Sequence, residues 1–338
     1  MIYITIIILL LLIINVNSSI SNKNDNDNDI MIQLPRDDGY INSTEVQWWY
    51  WTGHLKDNNN NRYGYEMCFF IVLGYSQLLQ VAITDVNNNK FSYKENFEFT
   101  MPSNNYGQFN LISTKPNLGS AIGSNGEDVL SFNVNEYSLN ITLSSDKPAV
   151  LHYNGLPHHY SFGGYTYYYS RTKMTTKGTL SINDVLYTVE GNSWFDRQYG
   201  MLARAVLKGW QWFAIELDSN VQVMLFDFID DSKEKYGSIT YADGRSIAID
   251  ATQFNVTILN YWTSPHTNCK YPSGWEVSMS GLLDIKTFQV IPMVLDQELK
   301  VTDSPTYWEG AADIKDNNNK IIGSSYVELN GYCSKLKN

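Results

Sequence analysis

The residues that could do chemistry in this chain are few, and most stand among aromatic side chains. His54 lies inside the run Gln47-Trp-Trp-Tyr-Trp-Thr-Gly-His-Leu55. It could serve as an acid or base, or sit as a hydrogen-bonded core histidine. His158 and His159 are adjacent, and neighbours on an extended chain point to opposite faces, so they read as loop residues rather than a chelate. No Cys-x-x-Cys or Cys/His spacing occurs, so neither a metal nor any other cofactor is expected. Gly-x-Ser-x-Gly is absent, which leaves a serine hydrolase unsupported. Glu45, Glu298, Glu309 and Glu328 could supply the paired carboxylates of a glycosidase. A structural role is expected instead, with Glu309 and Glu328 satisfied by backbone or arginine donors inside the C-terminal half.

The elements that must hold these residues are strands. Val221–Phe228, Leu139–Leu143, Leu180–Asn183 and Tyr326–Leu329 alternate or run apolar over strand length. The tracts Asn58–Asn61, Asn87–Asn89 and Asn317–Asn319 fall between such segments. Asparagine tolerates the left-handed conformation of tight turns, so these tracts read as hairpin tips. No convincing amphipathic helix longer than two turns is visible. A faint repeat aligns Trp48 with Trp210, Tyr50 with Trp212, Trp51 with Phe213 and Leu55 with Leu217, at one offset of 162 residues. That offset suits one eight-stranded barrel and suggests tandem duplication. Trp48, Trp49, Trp210 and Trp212 are each more simply core residues, yet together they imply an aromatic-lined cavity or cleft.

Composition limits the partners. A net charge of −11 argues against nucleic acid or an anionic membrane surface, which need a basic footprint. The apolar run Ile2–Ile14 is too short to span a bilayer comfortably and suits a signal peptide over residues 1–19, with an uncleaved anchor as the competing reading. After cleavage no membrane span is expected. The Asn/Asp-rich stretch that follows reads as a disordered linker over residues 20–39. The protein is therefore expected to be secreted, or to reside in an endomembrane lumen, and to be a monomer. Asn42, Asn140 and Asn255 begin glycosylation sequons. Cys269 and Cys333 are candidates for a disulfide, while Cys68 reads as a buried small hydrophobe.

Several motifs carry a family likeness. They are Gln47–Leu55, Tyr168-Tyr-Ser-Arg171, Val189-Glu-Gly-Asn-Ser-Trp-Phe-Asp-Arg-Gln-Tyr-Gly200, Gly209-Trp-Gln-Trp-Phe213, Tyr271-Pro-Ser-Gly-Trp275, Asp296-Gln-Glu298, Tyr307-Trp-Glu-Gly310 and Glu328-Leu-Asn-Gly-Tyr332. In this order they resemble the AttH/CrtC-like proteins, which are related to carotenoid 1,2-hydratase. The resemblance implies an all-β protein of two tandem lipocalin-like (calycin-type) antiparallel β-barrels, over residues 40–205 and 206–336.

It also implies a hydrophobic small molecule, isoprenoid, polyene or lipid-like, as partner. Such a ligand could be hydrated, isomerised or cyclised by general-acid catalysis. Asp196 stands at the position that resembles the family's candidate acid, with Trp194, Tyr169 and His54 beside it in the catalytic set. Trp49, Trp51, Tyr168, Arg171, Tyr199, Trp210 and Trp212 are candidates to contact the ligand. A carboxylic acid kept protonated by an aromatic pocket suits alkene protonation, and ring faces stabilise the cation. The competing reading of Asp196 is an ion pair with Arg171 or Arg197. The chain departs from the hydratase branch at Tyr165–Arg171, which lacks the His and Trp of that branch and looks more like the secreted AttH branch. The alternative function is a non-catalytic extracellular carrier or sensor of a hydrophobic metabolite.

Overall fold

Period-two alternation makes sheet, and in this computed structural model it makes two large sheets beside a small two-stranded one, Tyr261–Thr263 with Lys270–Pro272. Residues 31–100, 106–201, 209–229, 234–300 and 306–333 are described. The segment expected to be a signal peptide lies outside them. The first sheet is antiparallel, in the spatial order Lys90–Phe99, Ser76–Asp85, Arg62–Val72, Val46–Asp57, Val185–Met201, Tyr165–Ile182, Tyr137–Ser145, Glu127–Val134, Gly119–Ser124, Phe109–Ile112. It curls until Ser76–Asp85 lies against Glu127–Val134, which makes a near-closed barrel. The second sheet follows the same plan: Ser246–Asp250, Lys235–Thr240, Val221–Phe228, Trp210–Leu217, Ile321–Asn330, Tyr307–Lys315, Thr287–Pro292, Trp275–Met279, Phe254–Ile258. The two-barrel, all-β architecture expected from the sequence is thus the one observed.

The asparagine tracts end strands as expected. Asn60, Asn89 and Asn319 all have positive φ, and so do seven further asparagines among the thirteen such non-glycine residues described. A short polar side chain that bonds locally makes this conformation cheaper for asparagine than for other residues.

The repeat seen in sequence is a repeat of register. Tyr50 lies opposite Cys68 on one side and Asp196 on the other. At the matching place in the second sheet, Trp212 lies opposite Phe226 and Glu328.

Each barrel is filled by its own side chains. Trp49, Trp51, Phe195 and Tyr169 belong to the core of the first. Phe213, Trp275, Phe288 and Trp308 belong to the core of the second. A third cluster lies between the barrels and contains Tyr50, Cys68, Tyr168, Trp194, Trp212, Met224 and Tyr236. Cys68 is therefore buried, and it is apolar packing for the seam rather than for either core.

Local motifs close the structure. Gly310 is required by a close approach, since a Cβ there would meet the Gln297 amide at 2.2–2.5 Å. That amide bonds Val294 O, the Ala311 backbone and Thr84 of the first barrel, which links two of the sequence blocks. Cys269 and Cys333 are joined by a disulfide across 64 residues, Cα to Cα 5.1 Å.

One expectation is corrected at the N-terminus. Of the stretch expected to be a disordered linker, residues 31–39 pack against the first barrel: Ile32 enters its core, and Asp37 and Asp38 are buried. The reason is chemical: Asp38 accepts from Arg171, Tyr169 and the Asn125 backbone, and Asp37 accepts from Tyr199 at 3.0 Å. The rest of the stretch lies outside the described residues. Asn42, Asn140 and Asn255 are all exposed.

Candidate active site

Strand alternation sorts the candidate residues into two groups. On Val185–Met201, Phe195 points into the first barrel while Trp194 and Asp196 point to the seam. On Val46–Asp57, Trp49 and Trp51 point inward while Tyr50 and His54 face the second barrel. Trp49 donates to Asp38 O at 2.8 Å and Trp51 to Asp128 Oδ2 at 2.9 Å, both inside the first barrel. Tyr169 bonds Asp38. Arg171 reaches Asp38 at 3.2 Å, and Tyr199 reaches Asp37. These five therefore form the inner wall and its N-terminal plug, not the seam. The seam instead collects His54, Tyr168, Trp194, Asp196, Trp210 and Trp212.

Asp196 lies at the centre of that group, 4% exposed. Trp194 Nε1 donates to its Oδ1 at 2.6 Å, Ser170 Oγ to the same oxygen at 2.5 Å, and Tyr168 Oη to Oδ2 at 2.6 Å. No described arginine pairs with it. Arg197 stacks over Trp49 at 3.7 Å and donates to Gly39 O and Gln47, on the opposite face of the strand. The ion-pair reading is thereby corrected: consecutive strand residues cannot share a face. Burial pushes the Asp196 carboxyl up to about 7, against the pull of Ser170, Tyr168 and Trp194. A shift of this origin keeps a carboxylic acid protonated near neutrality.

Rings enclose the carboxyl. Trp212 Nε1 donates to Tyr168 Oη at 3.2 Å, and its ring meets Trp194 and Tyr50 edge-on at 6.1 and 5.4 Å. Two participants escaped the sequence reading. Ser170 lies inside the Tyr168–Arg171 block, and its spacing of two from Tyr168 is the signal that puts both on one face of the strand. His152, buried and stacked on Tyr168 at 4.1 Å, contacts Ser170 Oγ through Nε2 at 2.8 Å. Nothing in its local sequence marks it. Burial lowers its pKa to about 3, so it is neutral. The Ser170 hydroxyl can then turn either way, accepting from a protonated Asp196 or donating to an ionised one.

Glu309 and Glu328 are also at the seam, which corrects the expectation of arginine or backbone partners inside the second barrel. Glu309 accepts from Tyr50 of the first barrel, and Glu328 accepts from Trp210 Nε1 at 3.1 Å. Glu66 is fully buried close by, with neither carboxylate oxygen bonded. Burial raises Glu66 well above the usual range, helped by the charge of Glu328, and raises Glu309 likewise, helped by the charges of Glu66 and Glu328. Burial takes Glu328 to about 8.

His54 lies at the seam. Its Nε2 lies 3.0 Å from the Ser325 carbonyl of the second barrel. His158 pairs with Glu234 at 2.7 Å, within the His152–Gly164 strap that the first barrel lays over Phe228 and Tyr236 of the second. Two cavities border the seam. One of about 170 Å³ at its edge is lined by Lys147, Lys173, Asn220 and Asp243 among others. The other, about 20 Å³, lies between His54, Thr172, Trp194 and Tyr326.

The fold has solved relatives. The crystal structure of an AttH protein of Nitrosomonas europaea matches with a TM-score of 0.79 at 21% identity, over 93% of this chain and 98% of that one. Kievitone hydratase of Nectria haematococca matches at 0.72 and 17% identity, over 91% and 95%. CghA, solved with Sch210972, matches at 0.55 and 9% identity, over 91% and 97%. A comparison with curated proteins finds no match. A family profile described as AttH-like covers residues 25–332, and on that ground the chain belongs to the AttH-like family.

Proposed function

We propose that this protein is a secreted enzyme that transfers a proton to a lipophilic unsaturated small molecule at the seam between its barrels, with Asp196 as general acid. One observation carries the reading. Asp196 is buried among rings, bonded only by neutral donors, and raised by burial to about 7. Protonating an alkene requires such an acid, and Trp194, Trp212 and Tyr50 offer faces to the resulting cation. Rearrangement of that cation, with loss of a proton, gives isomerised or cyclised products. The fold shared with a kievitone hydratase supports this class of chemistry. The disulfide and the exposed sequons support an oxidising, extracytoplasmic location.

Both seam cavities are smaller than the ~300 Å³ of an ordinary ligand pocket. Binding therefore requires the seam to part, and the His152–Gly164 strap is one of the segments that bridge it.

The test is incubation with kievitone or lycopene in heavy water. Wild type is expected to give an isomerised or cyclised product with deuterium on carbon, and Asp196→Asn to form that product at least about 100-fold more slowly. Equal rates in the two forms would refute the assignment. A probe bound tightly and recovered unchanged from both would identify a carrier.

A further inference from the structure

The smaller seam cavity has the dimensions and lining of a water site. Its volume is about 20 Å³, and a single water needs at least roughly 10–15 Å³ and two to four polar partners. Three of its lining residues each present a buried polar atom with no partner: His54 Nδ1, Thr172 Oγ1 and Tyr326 Oη. Thr172 and Tyr326 are each 2% exposed. An orphaned buried group costs on the order of 1–3 kcal/mol, so three around one cavity point to a common occupant.

The histidine tautomer follows from its other contact. A carbonyl oxygen can only accept, so His54 Nε2 carries the hydrogen directed at Ser325 O. Nδ1 is then a bare lone pair. Burial, with Arg62 nearby, lowers the His54 pKa to about 4, so the ring is neutral near pH 7.

Strand geometry selects the acid that can work with this water. Adding water to a double bond puts hydrogen and oxygen on adjacent carbons, so acid and water must be close together. Asp196 lies opposite Tyr50, four residues before His54, which is about 13 Å along the strand. Glu66 lies opposite Thr52, diagonal to His54, where backbone separations are about 7–8 Å and long side chains meet. Glu66 is fully buried and has no donor to stabilise its carboxylate.

We propose that His54, Thr172 and Tyr326 hold the nucleophilic water of a hydration step, with His54 as general base and Glu66 as general acid, acting on an alkene laid along the seam. This rests on the reading that the seam receives an unsaturated substrate, and it assigns the water-adding step to a second centre. The Glu66 O–H bond breaks and its proton forms a C–H bond with the π electron pair. The water oxygen bonds the cationic carbon and gives one proton to His54 Nδ1. The product is the alkene plus one water. Return of that proton from His54 to the Glu66 carboxylate resets the site.

Two measurements test the proposal. A crystal structure of the full chain that resolves ordered water should place one water within hydrogen-bond reach of His54 Nδ1 and Tyr326 Oη, and a dry cavity overturns it. Kievitone in isotopically labelled water should give a labelled hydrate. His54→Gln and Glu66→Gln should each slow its formation at least about 100-fold, while kievitone still quenches tryptophan fluorescence. An unslowed variant, or a wild type that leaves kievitone unhydrated, overturns the proposal. Asp196→Asn separates it from the reading above. Hydration kept in Asp196→Asn and lost in His54→Gln removes Asp196 from this step and supports the second centre. Hydration lost in Asp196→Asn and kept in His54→Gln assigns water addition to Asp196.

Discussion

At the scale of single residues, the buried carboxyl of Asp196 links chemistry to stability. Its pKa is raised from the ordinary 3.8 to about 7 by burial. Between those values the folded state holds a proton that the unfolded chain has released, so stability falls as pH rises from about 4 to 7. Asp196→Asn removes that contribution. Urea denaturation between pH 4 and 8 should show a shallower pH dependence in the variant, with wild type losing up to a few kcal/mol relative to it across the window. Asp128, also raised to about 7 by burial, and Glu328 remain in both proteins, so the slope flattens without vanishing. A variant with an unchanged slope would mean that Asp196 is ionised when folded. Candidate residues were legible at this scale only as types. Asp196 could be picked from its motif, but whether Arg197 could reach it depended on knowing that the segment is a strand.

At the scale of elements, the turns carry the information that the sequence states most directly. Asn183 and Asp184 form a two-residue connection between Tyr165–Ile182 and Val185–Met201, with φ of 49° and 66°. Mirror-type hairpin turns require that conformation at both positions, and glycine suits the second. Asp184→Gly is expected to stabilise the protein by about 0.5–1 kcal/mol, and Asp184→Val to destabilise it by about 1–2 kcal/mol, both read as shifts in the urea midpoint. The opposite order would mean that Asp184 contributes through its carboxylate. Sequence also indicated the Val46–Asp57 and Trp210–Leu217 strands as repeats. It did not indicate the strap, because His152–Gly164 has no periodicity and its Tyr153 adopts a φ of 54° that only tertiary packing explains. Nor did it place residues 31–39, whose Asn/Asp-rich neighbourhood looks unfoldable until Asp37 and Asp38 meet their donors inside the first barrel.

At the scale of the whole molecule, the barrels meet through polar clamps around an aromatic centre. Lys147 of the first barrel, 8% exposed, donates to Asn220 O at 2.7 Å, Gln222 Oε1 at 2.6 Å and Tyr241 O at 2.9 Å of the second. Arg62 pairs with Asp313, and Tyr50 with Glu309. Lys147→Met strands three acceptors and should lower unfolding free energy by about 2–3 kcal/mol. Amide exchange should rise at residues 220–222 and 241. Unchanged exchange there would show that apolar packing alone holds the seam.

The sequence by itself determined the class of the fold, the positions of its hairpin tips and the order of its motifs. Those depend on side-chain periodicity and backbone preference, which are properties of neighbours along the chain. Only the tertiary structure decided which candidates share a site. Asp196, Ser170 and Tyr168 come together with Trp212 because two curled sheets present matching registers to each other. Trp49, Trp51, Tyr169, Arg171 and Tyr199 are turned away because each lies on the opposite face of its strand. The partners of Glu309, Glu328 and His54 lie in other strands or in the other barrel. A contact across a seam between barrels is set by closure and register over the whole chain, and no local pattern encodes it.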